Sequence, residues 1–164
     1  MIFWEGHDVR PLLLLILISI AGCQPDSKQA VYTVGRYNPE ADPAVDLAET
    51  IKQAQAEHKR IILQVGGEWC QFCHRLDAFI RETPAVASGL HDGFLIMKVS
   101  YTQGENENTE FLSQYPDPAG YPHWYVLESD GTLLHSQDTS KIQKGNGYSE
   151  PKLLAFIEKW KPGN

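Results

Sequence analysis

Residues 61–80, Ile-Ile-Leu-Gln-Val-Gly-Gly-Glu-Trp-Cys-Gln-Phe-Cys-His-Arg-Leu-Asp-Ala-Phe-Ile, constrain the fold more than any other stretch. The apolar, β-branched run from Ile61 to Val65 reads as a short buried strand. Gly66 and Gly67 break it. From Cys70 the pattern turns helical, with Leu76, Phe79 and Ile80 at i, i+3 and i+4. Two cysteines, Cys70 and Cys73, therefore sit where a strand hands over to a helix. A helix start presents unpaired N–H groups and the positive end of the macrodipole. A thiolate is stabilised there, and a cysteine pKa falls from about 8.5 into roughly the 3.5–7.5 range. The three-residue offset brings the second sulfur within one helical turn of the first, which suits reversible disulfide chemistry.

Around this unit, strands alternate with helices, the pattern of an α/β domain. Asp42 and Pro43 open a helix through about His58, with Leu47, Ile51 and Ala54 as its apolar stripe. Thr83-Pro84 reads as an N-cap and first-turn proline of a short helix to about Leu90. Phe94 to Val99 is a second buried-type strand. Residues 101–108 form a polar loop, and Thr109 to Tyr115 is expected to be helical. His123–Leu127 and Thr132–Ser136 read as a hairpin turning at Ser129-Asp130-Gly131. Residues 138–148 form a second polar loop. Ser149 caps a last helix with Leu153, Phe156, Ile157 and Trp160 on one face. Phe94, Trp124 and Tyr125 are expected in the core.

Strand, Trp69-Cys70-Gln71-Phe72-Cys73 and helix, followed later by Gly120-Tyr121-Pro122 ahead of a hairpin, resemble the thioredoxin-like family over about Val45 to Trp160. The resemblance implies a thioredoxin-like fold, a central mixed sheet flanked by helices, and thiol–disulfide oxidoreductase activity. It implies Cys70 as the exposed, low-pKa nucleophile and Cys73 as the resolving thiol. It also implies a cis bond before Pro122, with the backbone at Tyr121 pairing with an extended substrate chain. Trp69, Tyr121 and Pro122 are then the substrate-binding residues. Gln71-Phe72 matches neither the Gly-Pro of typical thioredoxins nor the Pro-His of strong oxidants, so the direction of electron flow stays open.

Gln64 departs from the family pattern. Thioredoxins usually carry a buried Asp six residues before the first cysteine, and it helps take the proton from the resolving thiol. Gln64 cannot titrate, so that proton goes to water, or to Glu68 or Asp77. Asp77 is four residues after Cys73 and faces the same way; its simpler reading is an exposed surface acid. His74, one turn below Cys70, is read as a surface histidine, with proton shuttling as the alternative.

Other chemistries use the same cysteines. Cys70-x-x-Cys73-His74 is formally a c-type haem attachment motif. Two thiolates with His74 and His123 could hold zinc. A binding module that keeps the fold without turnover is a further alternative. The principal reading needs no cofactor and no metal. Its partners are protein thiols and disulfides, and the chain is expected to act as a monomer. With 14 basic against 21 acidic residues, a net charge of −7 and no basic stripe, nucleic acid is not an expected partner.

The apolar run at residues 12–20 is too short to span a membrane, which takes about 20 residues. It has the length of a signal-peptide core. It ends Ile20-Ala21-Gly22-Cys23, which resembles the bacterial lipobox and implies cleavage before a lipidated Cys23. Gln24 after it resembles outer-membrane sorting. The expected layout is a lipoprotein signal peptide at 1–22, a lipidated tether at 23–43 and the domain at 44–164, facing the periplasm from a membrane. Residues 24–43 carry Pro25, Gly35, Pro39 and Pro43, with room for a brief strand at Ala30–Val34. Fully extended, such a tether reaches roughly 70 Å. The first ten residues hold Glu5 and Asp8 against Arg10, unlike a positive signal n-region; a start at Val9 would remove both acids.

Overall fold

The computed structural model of the chain describes residues 1–2 and 28–163. The expected apolar signal core, Cys23 and Gln24 lie outside the described residues. Five strands build the main sheet: β1 (Val31–Val34), β2 (Arg60–Gly66), β3 (Phe94–Ser100), β4 (His123–Leu127) and β5 (Leu133–Asp138). Their order is β1-β3-β2-β4-β5. β1, β3 and β2 run parallel, and β4 and β5 are antiparallel, which makes the sheet mixed. The helices are α1 (Pro43–Glu57), α2 (Gln71–Glu82), α3 (Pro84–Gly93), α4 (Thr109–Leu112) and α5 (Glu150–Trp160). β6 (Gln143–Lys144) and β7 (Gly147–Tyr148) form a separate small ladder after a 3-10 turn at Thr139–Ile142.

Residue alternation along the strands splits the core into two layers. Ile61, Leu63, Val65, Leu95, Met97, Val99, Tyr125 and Leu127 pack on the α1 side. Ile62, Ile96, Trp124 and Val126 face the opposite side, against Leu76 and Ile80 of α2, Leu90 of α3 and Leu153, Phe156 and Ile157 of α5. Each of the larger aliphatic or phenylalanine side chains buried here contributes about 1.5–3 kcal/mol. The core positions expected for Phe94, Trp124 and Tyr125 are all buried.

Local signals explain most element ends. The Asp42 carboxylate accepts from Ala44 N–H at 2.8 Å and caps α1, with Pro43 in its first turn. Thr83 and Ser149 precede α3 and α5 without a side-chain capping bond; their carbonyls accept from Ala87 and Leu153 instead. α4 is shorter than the expected 109–115. Tyr115 N–H bonds to Leu112 in a tighter turn, and its ring stacks on Tyr125 at 4.9 Å, which takes the chain out of the helix.

The tether expected at 23–43 is corrected over its described part. From Lys28 on, the segment is attached to the domain. Lys28 pairs with Asp92 at 2.6 Å, the Gln29 carbonyl meets His91, and β1 joins the edge of β3. Tyr37 is buried. The physical reason is that β3 offers an unpaired strand edge, and Val31, Tyr32 and Val34 supply apolar faces to cover it.

Candidate active site

The β2-to-α2 connection brings the two cysteines together. Cys70 occupies the N-cap of α2 in extended conformation, and its sulfur accepts from the Cys73 N–H at 3.2 Å. Cys70 and Cys73 are joined as a disulfide. The paired glycines are explained by space. A Cβ on Gly66 would lie 2.5 Å from Cys73 Sγ, and one on Gly67 would run into the Trp69 indole. The expectation of an exposed Cys70 is corrected in this disulfide form: the residue is only 3% accessible. Tyr37, Phe72 and Tyr121 pack against the sulfur pair and cover it.

Beside the disulfide lies an aromatic surface. Trp69 is 54% exposed, an unusual position for so large an apolar side chain. Its indole N–H donates to the Tyr101 carbonyl at 2.8 Å, and Tyr121 meets it edge-on at 5.7 Å. Tyr101 stacks on Tyr121 at 4.7 Å. The Tyr121–Pro122 bond is cis, as the Gly-Tyr-Pro pattern implied. Pro122 is buried, and its carbonyl accepts from the Thr139 hydroxyl. Burial pushes the Tyr121 phenol well above its ordinary value, so it remains a protonated, hydrogen-bonding ring.

Behind Cys73, a polar layer crosses the sheet. Lys98, Gln64 and Trp124 stand side by side on β3, β2 and β4. Gln64 Nε2 donates to Tyr37 Oη at 2.9 Å and to Asp77 Oδ1 at 3.0 Å, while its Oε1 accepts the Trp124 indole N–H at 3.0 Å. Asp77 also takes the Lys98 ammonium at 2.6 Å and the Tyr32 hydroxyl at 3.3 Å. The surface-acid reading of Asp77 is therefore corrected. Its side chain is 18% accessible because β1 and Lys98 close over that face of α2. Burial and the Asp77 carboxylate hold the Tyr32 phenol well above its ordinary value.

Glu68 and His74 stay at the surface. A His74 ring nitrogen lies 2.7 Å from the Glu68 carbonyl oxygen, and the Glu68 carboxylate accepts from Tyr37 N–H at 3.3 Å. His123 is buried on β4 with one ring nitrogen on Ser136 Oγ at 2.8 Å. His74 and His123 thus hold separate partners, and among the described residues no three His, Cys, Asp or Glu side chains converge as a metal site. A c-type haem needs each sulfur in a thioether bond, whereas here the two sulfurs are bonded to each other.

Tyr32, Tyr37, Lys98 and Tyr101 are site residues that sequence reasoning missed. Signals existed for three of them. Lys98 is a lone charge inside an apolar strand, which calls for a partner. Tyr32 and Tyr37 are the only aromatics in residues 24–43, where a free tether has no use for them. Tyr101 carried no signal in its polar loop.

The thioredoxin-like family model matches residues 42–129, more than half of the chain. No curated protein matches it. Among solved structures, the disulphide isomerase from Xylella fastidiosa Temecula1 is 24% identical with a TM-score of 0.63, covering 75% of this chain and 94% of that one. The C-terminal domain of DsbD from Neisseria meningitidis, in the reduced form, is 23% identical with a TM-score of 0.54, covering 74% and 98%. Both are likenesses of fold.

Proposed function

The chain belongs to the thioredoxin-like family and carries the fold and the Cys-x-x-Cys pair of a thiol–disulfide oxidoreductase, and from that premise we propose that it exchanges disulfides with exported proteins from a membrane anchor. The observation that carries the exchange is the Cys70–Cys73 disulfide at the α2 N-cap, where the Cys73 N–H already donates to Cys70 Sγ. That donor and the helix dipole favour a thiolate at Cys70 in the reduced protein. The Cys70 thiolate attacks one sulfur of a substrate disulfide. A mixed disulfide forms, and the other substrate sulfur leaves as a thiolate that takes a proton from water. Cys73 loses its proton and attacks Cys70 Sγ, closing the Cys70–Cys73 bond and releasing the second substrate thiolate. The substrate gains two electrons and the protein loses them; the reverse sequence oxidises a dithiol.

Trp69, Tyr121 and Pro122 are the proposed substrate surface, with the extended substrate chain running beside Tyr121. Gln64, Glu68, His74 and Asp77 are the proposed tuning residues. Cys23, after the Ile20-Ala21-Gly22 run, is the proposed lipid attachment point, which places the domain on the periplasmic side of a bacterial membrane. The exchange is tested by trapping. Cys73→Ser should accumulate lasting mixed disulfides through Cys70, and Cys70→Ser almost none. Faster alkylation of Cys73 than of Cys70 in the reduced protein, or no mixed disulfide in either variant, overturns the assigned roles. Palmitate labelling that persists in Cys23→Ser rejects the anchor.

A further inference from the structure

The polar layer behind Cys73 leaves one hydroxyl proton without an acceptor among the described residues, and it belongs to Tyr37. The orientation of Gln64 follows from its neighbours. The Trp124 indole only donates, so it takes Oε1, and Nε2 must face Tyr37 and Asp77. At Tyr37 the amide is therefore the donor and the phenol oxygen the acceptor. The phenol's own proton points elsewhere. Tyr37 is 4% accessible and packs in one cluster with Cys70 and Cys73. A Cβ placed on Gly66 would meet Cys73 Sγ at 2.5 Å and Tyr37 Oη at 3.0 Å. The hydroxyl and the sulfur thus both border the space that a side chain at Gly66 would fill.

We propose that Tyr37 is a catalytic hydrogen-bond donor to Cys73, its O–H stabilising the Cys73 thiolate as that sulfur attacks the Cys70–substrate disulfide. Gln64 and Asp77 are positioning residues that aim the hydroxyl. In the step itself, Cys73 releases its proton to water, its sulfur bonds to Cys70 Sγ, and the Cys70–substrate bond breaks with both electrons leaving on the substrate sulfur. Tyr37 keeps its proton throughout. Burial raises its phenol well above the ordinary value against the opposing effect of the Gln64 bond, which fits a donor and excludes a base. The Lys98 ammonium, 5.0 Å from the Tyr37 ring centroid, adds positive charge to the same corner. This arrangement answers the absence of an acid at position 64: the thiolate is stabilised by donation rather than by proton removal to a carboxylate. Tyr37 lies ahead of the segment that the family model matches.

The inference rests on the thiol-exchange reading, but its test does not use turnover. In a Cys70→Ser background, the ultraviolet absorbance of the Cys73 thiolate is followed against pH with Tyr37 and with Tyr37→Phe, which removes only the hydroxyl. The thiolate fraction at neutral pH should fall about tenfold, equivalent to about one unit in the Cys73 pKa. In the matching Cys73→Ser background, Tyr37→Phe should leave the Cys70 titration unchanged. An unchanged Cys73 titration, or equal shifts at both cysteines, overturns the proposal. A second readout keeps the native ring: the Tyr37 Cζ chemical shift in the Cys70→Ser protein should titrate in step with Cys73. A flat Cζ shift through that titration also overturns it. Failure of substrate trapping with the Tyr37 effect intact would instead reject the exchange reading.

Discussion

At Gln64 one amide serves three neighbours: Trp124 through its oxygen, and Tyr37 and Asp77 through its nitrogen. Gln64→Glu keeps the shape but removes both N–H donors and sets a second carboxylate about 3.0 Å from Asp77 Oδ1. Two carboxyl groups that close do not both ionise readily, so the folded-state pKa of the pair rises above the unfolded value near 4.3. Stability from a raised pKa is fully present below the unfolded value and is lost as pH rises through the folded one. The urea midpoint of Gln64→Glu should thus lie below that of the parent at neutral pH, with the gap narrowing toward about pH 4. A gap independent of pH rejects this. An aspartate at 64 would meet the same Asp77, so the usual family acid is not restored there without moving Asp77. Gln64 stood out in the sequence as a departure from the buried acid that the resembled family usually carries there. Asp77 stood out as a candidate too, but its burial did not, because helix spacing shows which way it points but not that Tyr32 and Lys98 arrive from β1 and β3 to cover it.

Elements built from local rules were the legible ones. The β2 run, the α2 periodicity, the Asp42 cap and the Tyr121-Pro122 turn each lie within a few residues of chain. The short α4 and the β6–β7 ladder were not legible, because Tyr115 and Tyr148 are placed by distant partners, Tyr125 and the α2 face. β4 carries an element-scale consequence. His123, its first residue, is 2% accessible, with Nε2 on Ser136 and Nδ1 without a hydrogen-bond partner among the described residues. Burial lowers its pKa below the ordinary 6.5. The unfolded chain therefore binds this proton first as pH falls. The neutral form's stability is complete above 6.5 and is lost as pH drops through the folded value. Asp138, paired with His123 across β5, is held below 3.8 by its Ser140 hydrogen bond and acts only in more acid solution. The urea midpoint should decline on acidification below 6.5, and His123→Gln should lose that part of the decline. An identical pH profile in the variant rejects the assignment to β4.

On the scale of the whole molecule, the sequence-level boundary between tether and domain falls in the wrong place for a folding unit. Composition put it near residue 43, and the family match begins at 42. The packed chain begins by Lys28, because β1 closes the β3 edge and the next turn delivers Tyr37 to the sulfur pair. A polar, proline-bearing segment looks like a leash as long as the edge that receives it is unseen. Two truncations separate these boundaries. A chain starting at Lys28 keeps every contact described and should melt with the full-length protein. A chain starting at Asp42 loses the β1 ladder, the Tyr32 bond to Asp77 and the buried Tyr37 ring. Losing two part-buried or buried aromatic side chains alone removes about 3 kcal/mol or more of stabilisation. For a domain of this size that lowers Tm by roughly 10 °C. The exposed β3 edge should also make the shorter chain associate, since an uncovered strand is a template for pairing. Scanning calorimetry and sedimentation of the two truncations check both effects. Equal Tm values, with both chains monomeric, would return residues 28–41 to the status of a tether and remove the structural ground for Tyr37 at the site.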